Sequence, residues 1–295
     1  YGTTWSITST EYIADHHEKK IQNIINNIDM MASNYKPDSE IALINNSPVN
    51  TDLLVSDGLF HILNIAQSIS KESDGYYDIT LGKTSSSMGF SPDFEKNVEN
   101  NPLNRSYELN KSNQTVNKNS LFWFDLSSIA KGYAVQRIHD YLIKNNLPNH
   151  LIDIGGEVII NGTNYSEPWN VGIQDPNSLA SNPIYIIKNT NASFLSIATS
   201  GEYRNFKTNS LGLIDTHTIN PNSLRSIKPD SLSVTVISGK SATYADGYAT
   251  AFNAMSVNKS IEIANANDIA LMLVVQNGSD IELLFSDKWY DFAYE

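Results

Sequence analysis

The decapeptide Asp125-Leu-Ser-Ser-Ile-Ala-Lys-Gly-Tyr-Ala134 sits between an apolar run, Leu121-Phe-Trp-Phe124, and a stretch carrying Ala134, Ile138, Tyr141 and Leu142 at helical spacing. The run reads as a buried strand, and the stretch as a helix that starts after the Ser127-Ser128 turn. Such a turn exposes backbone N–H groups at the helix start, an end that attracts phosphate. Lys131 supplies a cation beside an anion there, and Gly132 permits close backbone approach. Far downstream, Tyr244-Ala-Asp-Gly-Tyr-Ala-Thr-Ala251 puts Asp246 and Thr250 at i and i+4, on one face of a helix. A carboxylate and a hydroxyl so placed can hold one hard cation. The two segments together predict a metal-assisted phosphate site.

The rest of the chain narrows the setting. Its 295 residues, 40% hydrophobic, can bury a substantial core as one large domain or two modest ones. A net charge of -12 argues against nucleic acid or an anionic membrane as partner, since those surfaces need clustered Lys and Arg. The absence of Cys excludes disulfides, thiolate metal sites and Cys nucleophiles. No run of 18 or more apolar residues offers a transmembrane helix. The chain opens at Tyr1 without an initiator Met and reads as a mature or trimmed fragment, with any targeting segment outside it.

In order, Thr3 to Ile7 reads as a first strand. Thr8 with Glu11 forms a capping box for a helix whose stripe is Ile21, Ile24, Ile25, Ile28 and Met31. His16 and His17, adjacent on that helix, read as a solvated pair. After a turn at Pro37-Asp38, a second amphipathic helix carries Leu59, Ile62, Leu63, Ala66 and Ile69, with His61 as a structural residue. Asp74-Gly-Tyr-Tyr-Asp78 reads on composition as a turn with two exposed tyrosines, against the alternative of a stacking wall for a planar ring. Residues 91 to 120 are polar and Asn-rich, an excursion with one hairpin and no expected chemistry. Gly155-Gly156 between Leu151–Ile154 and Val158–Ile160 marks a turn. Strands are expected at Trp169–Pro176, Ser231–Ile237, about 270–275 and about 282–285, with a helix at about 257–265. His217, in the Asn/Pro-punctuated segment Thr216–Pro221, is the one His in a loop-like setting.

Eight segments, in the same order, resemble one family, the FAD:protein FMN transferases, also called the ApbE or thiamine-biosynthesis-lipoprotein family. They are Gly2–Trp5, Tyr35–Glu40, Gly75–Asp78, Asp125–Tyr133, Asp153–Glu157, Ala198–Tyr203, His217–Pro221 and Ala245–Thr250. The resemblance implies an α+β fold of mixed and antiparallel sheets with helices and a FAD-binding cleft. It implies a single domain across 1–295, with room for two subdomains flanking the cleft.

It also implies a Mg²⁺-dependent reaction in which FMN passes from FAD to a Ser or Thr hydroxyl and AMP leaves. The acceptor would carry an Asp-x-Ser/Thr-Gly-Ala-Thr-like motif, as in redox-pump subunits. The site would be extracytoplasmic, on a membrane-anchored lipoprotein. By the same resemblance, His217 is the general base. Asp246, Thr250 and main-chain oxygens at Ser128 and Ala249 hold the metal. Tyr1, Tyr35, Tyr76, Tyr77, Asp78, Asp125, Lys131 and Ile219 contact FAD. The same site with water in place of the acceptor would instead hydrolyse FAD to FMN and AMP. A non-catalytic FAD-binding lipoprotein would need neither a metal pair nor a base.

The chain departs from the family pattern at Tyr1 for Met, Asn220 for the Asp of His-x-x-Asp-Pro, and Tyr76-Tyr77-Asp78 for Ala-Phe-Asp. Met88-Gly89-Phe90 is a shortened Leu-Trp-Gly-Phe.

Overall fold

A computed structural model describes residues 2–92, 102, 104–178, 182–201, 206–208, 214–216 and 218–292. In chain order the elements are β1 (Trp5–Ser9), α1 (Asp15–Ala32), α2 (Glu40–Asn45), β2 (Leu53–Leu54), α3 (Asp57–Glu72) and α4 (Gly82–Ser87). The hairpin β3 (Tyr107–Asn110) and β4 (Thr115–Lys118) precedes α5 (Ala130–Lys144), β5 (His150–Ile154) and β6 (Glu157–Asn161). Short pairs follow: β7 (Thr163–Asn164) with β8 (Glu167–Pro168), and β9 (Asn170–Gln174) with β10 (Pro183–Lys188). Then come β11 (Leu195–Ser200), β12 (Phe206–Thr208), β13 (Ile214–Thr216), β14 (Ile219–Asn220) and β15 (Arg225–Ser226). The chain continues with β16 (Ser231–Ser238), α6 (Ala242–Asn253), α7 (Val257–Ala266), β17 (Ala270–Asn277), β18 (Asp280–Phe285) and a 3₁₀ turn at Asp287–Asp291. This is the α+β architecture expected.

One seven-stranded antiparallel sheet, ordered β1-β5-β6-β11-β16-β17-β18, forms the frame. The inner strands β6 and β17 read as nearly continuous apolar runs because both faces are covered, whereas the edge strands β1 and β18 alternate. Ile152, Ile154, Ala198, Val234, Val236, Leu271 and Leu273 belong to the core shared with the helices. The alternating residues Ile160, Ile197, Ile237, Met272 and Val274 pack with Trp169, Ile173, Ile187 and Trp289 on the other side. Each fully buried aliphatic side chain contributes roughly 1.5–3 kcal/mol. Among the described residues no helix is long and apolar enough to cross a membrane.

Three local expectations are corrected. The capping box at Thr8 and Glu11 does not form, because Thr8 is committed to β1, paired with Leu151. The helix begins only at Asp15, with Ala14 as an N-cap that makes no side-chain bond. Glu11 instead accepts from Ser9 Oγ at 3.0 Å and from the Asn149 backbone at 3.3 Å, pinning the exit of β1 to the entry of β5.

Leu121–Phe124 is buried at Phe122 and Phe124 but is not a strand; its one ladder contact is the bridge from Trp123 to Leu81. The Asn45 side chain takes the place of a neighbouring strand. It accepts from Phe124 N at 2.7 Å and donates to Phe124 O at 3.0 Å. Apolar periodicity reported burial there, and burial needs no ladder once a side-chain amide satisfies the backbone.

The Asp74–Asp78 turn does not expose both its tyrosines. Tyr77 is 2% exposed, and its N–H donates to Ser73 Oγ at 3.1 Å.

Candidate functional site

The Asp125 segment and the Asp246 segment meet as two packed helix ends. Asp125 Oδ1 accepts from Ser127 N at 3.0 Å, folding the turn, and Ile129 N and Ala130 N both donate to Leu126 O. The second carboxylate oxygen of Asp125 accepts from Ser91 Oγ at 2.9 Å. On α6, Ser241 caps the helix by accepting from Tyr244 N, and Asp246 follows in its second turn.

The anion at the start of α5 belongs to the chain itself. Gly132 N donates to Asp246 Oδ2 at 2.7 Å, so one of the free N–H groups of the helix end is spent on that carboxylate. Gly132 therefore serves the approach of two helices rather than of a ligand. A Cβ there would lie 2.4 Å from Ala242 O and 2.6 Å from Asp246 Cβ.

Lys131 pairs with Glu157 and stands 3.8 Å from Asp246 Oδ1. Glu157 opens β6 directly after the Gly155-Gly156 turn, whose residues have φ of +61° and +100°, a conformation that favours glycine. Both carboxylates are 3% exposed, and Glu157 Oε2 is buried without a hydrogen-bond partner. Burial pushes the Glu157 carboxyl up to about 8, against the pull of Lys131. Burial likewise raises Asp246, opposed by Lys131 and by the Gly132 N–H. Burial lowers Lys131, but Asp246 and Glu157 together hold it above the ordinary amine value. Two acids face one ammonium, so the cluster has an appetite for further positive charge.

The remaining site residues fall around this cluster. The Tyr77 hydroxyl and Ser128 Oγ share a hydrogen bond of 3.0 Å. Burial raises the Tyr77 phenol well above its usual value, keeping it neutral. Packing thus closes the ring of Tyr77 off from stacking and leaves its hydroxyl bonded to Ser128, while Tyr76 stays half-buried. Gly247 lets this packing happen: a Cβ would meet Ile69 Cδ1 at 2.5 Å. Ala249 is buried, and Thr250 is half-buried on the turn after Asp246. Tyr35 is exposed, with its hydroxyl donating to Phe90 O at 3.0 Å. Burial raises its phenol, and Asp125 adds to the rise.

Asp78 and Ile219 lie on a second side. Asp78 Oδ1 accepts from Thr80 N at 2.8 Å and Thr80 Oγ1 at 2.6 Å, and Oδ2 pairs with Arg105 at 2.9 Å. Ile219 is buried in the β14–β15 hairpin. A cavity of about 560 Å³ opens here, lined in part by Asp78, Thr80, Arg105, Tyr107 and Pro221. Neither Lys131 nor Asp246 lines it, so it does not enclose the carboxylate cluster.

His217 and Tyr1 lie outside the described residues, as do Glu202 and Tyr203 of the matched segment Ala198–Tyr203. The neighbours of His217 are tethered on both sides. Thr216 N donates to Ser226 Oγ at 2.7 Å, and Thr218 Oγ1 accepts from Asn253 Nδ2 of α6 at 2.9 Å. Asn220 Oδ1 accepts from Asn222 N at 2.9 Å and Ser223 N at 3.0 Å, folding its own turn. An Asn performs that acceptor role as well as an Asp, so the exchange leaves the turn intact.

Two residues with evident roles carried none in the sequence reading. Glu157 was part of a matched segment, and its signal was a charge set against an apolar strand. Arg105 falls in the stretch from which no chemistry was expected, and its side chain is only 6% exposed. Nothing in the polar residues around it marks it in advance.

The resemblance implies Mg²⁺, and the donors fit such an ion. Asp246, Thr250 and the main chain at Ser128 and Ala249 offer oxygen alone, with a single carboxylate, as suits an ion that also binds substrate phosphates. Among the described residues no trio of His, Cys, Asp or Glu converges as an all-protein cage would require. Beside these donors, Glu157 Oε2 is buried without a partner, a polar atom that a bound group could satisfy.

The model of the ApbE family matches residues 1–273. The chain is 30% identical over 289 residues to a FAD:protein FMN transferase of Haemophilus influenzae, covering 92% of this chain and 81% of that one. It is 28% identical to the FAD:protein FMN transferase of Vibrio cholerae, over 99% of this chain and 90% of that one. Among solved structures it resembles the flavin transferase ApbE from Vibrio cholerae, with a TM-score of 0.83 and 27% identity, over 99% of this chain and 96% of that one. The apo flavinyl transferase ApbE of Pseudomonas stutzeri has the same TM-score at 25% identity, over 99% of this chain and 93% of that one.

Proposed function

This chain belongs to the ApbE family, and on that premise we propose that it transfers the FMN moiety of FAD to a Ser or Thr hydroxyl of an acceptor protein, with Mg²⁺ bound and AMP released. Its activity class is that of a flavin transferase. The observation that supports the finer reading is the buried Asp246 carboxylate, held by Gly132 N–H and Lys131 and followed one turn later by Thr250.

The acceptor hydroxyl oxygen attacks the phosphorus on the FMN side of the pyrophosphate. A new O–P ester forms, the P–O bond toward AMP breaks, and its electron pair leaves with AMP. His217 takes the hydroxyl proton. Lys131, anchored by Glu157, holds positive charge beside the phosphates. The Tyr77–Ser128 hydrogen bond holds the turn whose Ser128 carbonyl would be a ligand of the cation. Asp246, Thr250 and the main chain at Ser128 and Ala249 would hold Mg²⁺, which would neutralise charge on the phosphate oxygens. The reading extends to an exported, lipid-anchored enzyme whose acceptors are redox-pump subunits, on the strength of the family resemblance.

The test is incubation with FAD and Mg²⁺, with and without an acceptor bearing Asp-x-Ser/Thr-Gly-Ala-Thr, followed by mass spectrometry. An acceptor gain equal to one FMN, dependent on Mg²⁺, is the expected result. Free FMN and AMP without an adduct make the protein a FAD pyrophosphatase, and intact bound FAD in both tubes makes it a binding protein.

A further inference from the structure

We propose that Arg105 is a positioning residue that locks the two walls of the flavin cleft together, joining the Asp78 loop to the Pro221 segment; the inference rests on the transferase reading. One guanidinium reaches four acceptors. Its Nη2 bonds both Asp78 Oδ2 at 2.9 Å and Pro221 O at 3.0 Å, its Nε bonds Thr80 Oγ1 at 3.0 Å, and its Nη1 bonds Pro102 O at 2.8 Å. The two walls come from points far apart in sequence, 116 positions in the case of Arg105 and Pro221.

The acceptors differ in kind. Asp78 offers charge, but the Pro221 and Pro102 carbonyls offer only direction. A planar fork with five N–H groups can satisfy both at once, and a single ammonium cannot. The Asp78 carboxylate is already occupied by Thr80 and Arg105, so its contribution to the cleft is to hold that fork rather than to present a free anion to the ligand. Pro221 directly follows Ile219 and Asn220, so fixing its carbonyl fixes the end of β14 against the Asp78 loop. The cavity of about 560 Å³ is lined by Asp78, Thr80, Arg105 and Pro221, the residues that the fork joins.

The experiment compares the parent protein with Arg105→Lys, Arg105→Gln and the double variant Arg105→Gln/Asp78→Asn. The readouts are FAD affinity by flavin fluorescence, single-turnover FMN transfer and the melting temperature. Positioning predicts that Arg105→Lys, despite keeping the charge, binds FAD about ten-fold more weakly, the loss of a directed hydrogen bond. It predicts that the double variant is no better than Arg105→Gln alone. Charge neutralisation alone would give a Lys variant equal to the parent and a double variant that recovers; either result overturns the proposal. A fall in melting temperature with unchanged FAD affinity and turnover also overturns it, leaving Arg105 a stabilising residue only. The parent serves as the control for the transferase reading: if it neither binds nor turns over FAD, that reading fails whatever the variants do.

Discussion

Gly132 donates its backbone N–H to the Asp246 carboxylate at 2.7 Å, joining α5 to α6 across 114 positions of sequence. The bond uses a helix end as a fixed positive pole for a buried acid. It makes the carboxylate immobile before any ligand arrives, which is the condition for electrostatic preorganisation.

Asp246→Asn keeps an oxygen for Gly132 N–H but loses the charge. The expected outcome is a loss of Mg²⁺-dependent FMN transfer of at least about 10²-fold, since a catalytic cation contributes several kcal/mol. Mass spectrometry of the acceptor over a Mg²⁺ series checks it; a variant with unchanged metal dependence removes Asp246 from the site.

Gly132→Ala forces a Cβ against Ala242 O and Asp246 Cβ. Overpacking of this kind costs about 1–3 kcal/mol. Chemical denaturation should show that loss, and transfer should fall with it because the displaced atom belongs to Asp246. Full activity at full stability would mean the two helices part freely.

His217→Ala should lower single-turnover transfer by roughly 10²–10⁴-fold, the usual worth of a general base, while leaving FAD affinity near the parent's. Equal losses in binding and turnover would make His217 a cofactor contact.

His139 and His150 form a buried pair with Nδ1 and Nε2 2.9 Å apart. His150 Nδ1 donates to Leu147 O at 2.8 Å, so with that ring neutral its Nε2 accepts and His139 Nδ1 donates. Burial lowers both, His139 to about 4. The unfolded chain then binds more protons than the folded one between about 4 and 6.5, so stability falls as pH drops through that window. From pH 6.5 to 5 His139 should remove roughly 2 kcal/mol at most, and His150 adds a loss of the same sign. Urea melts of the parent and of His139→Phe at both pH values check this, and parallel losses in the two proteins would exclude His139 as the cause.

Much of this architecture can be read from periodicity. The stripe Leu59, Ile62, Leu63, Ala66, Ile69 became α3, and the alternation from Ser231 became β16, because each pattern has one burial solution. The pairing of Asp246 with the start of α5 was half legible. The i, i+4 spacing placed Asp246 and Thr250 on one helix, but only the tertiary contact shows that the partner of the Gly132 N–H is this acid. Arg105 and Asn45 were illegible for a shared reason. Each is a polar residue whose value lies in the direction of its hydrogen bonds to distant backbone, and direction leaves no trace in hydropathy. Leu121–Phe124 misled in the opposite sense, since Asn45 made a strand unnecessary.

The position of β1 in the sheet has a consequence in time. Trp5 pairs with Ile154, so during synthesis β1 waits for roughly 150 further residues, on the order of ten seconds at ordinary elongation rates. Throughout that interval its backbone edge is unsatisfied and open to any other extended chain. Whatever keeps the growing chain from aggregating in that interval must cover β1 and let go only after β5 has emerged.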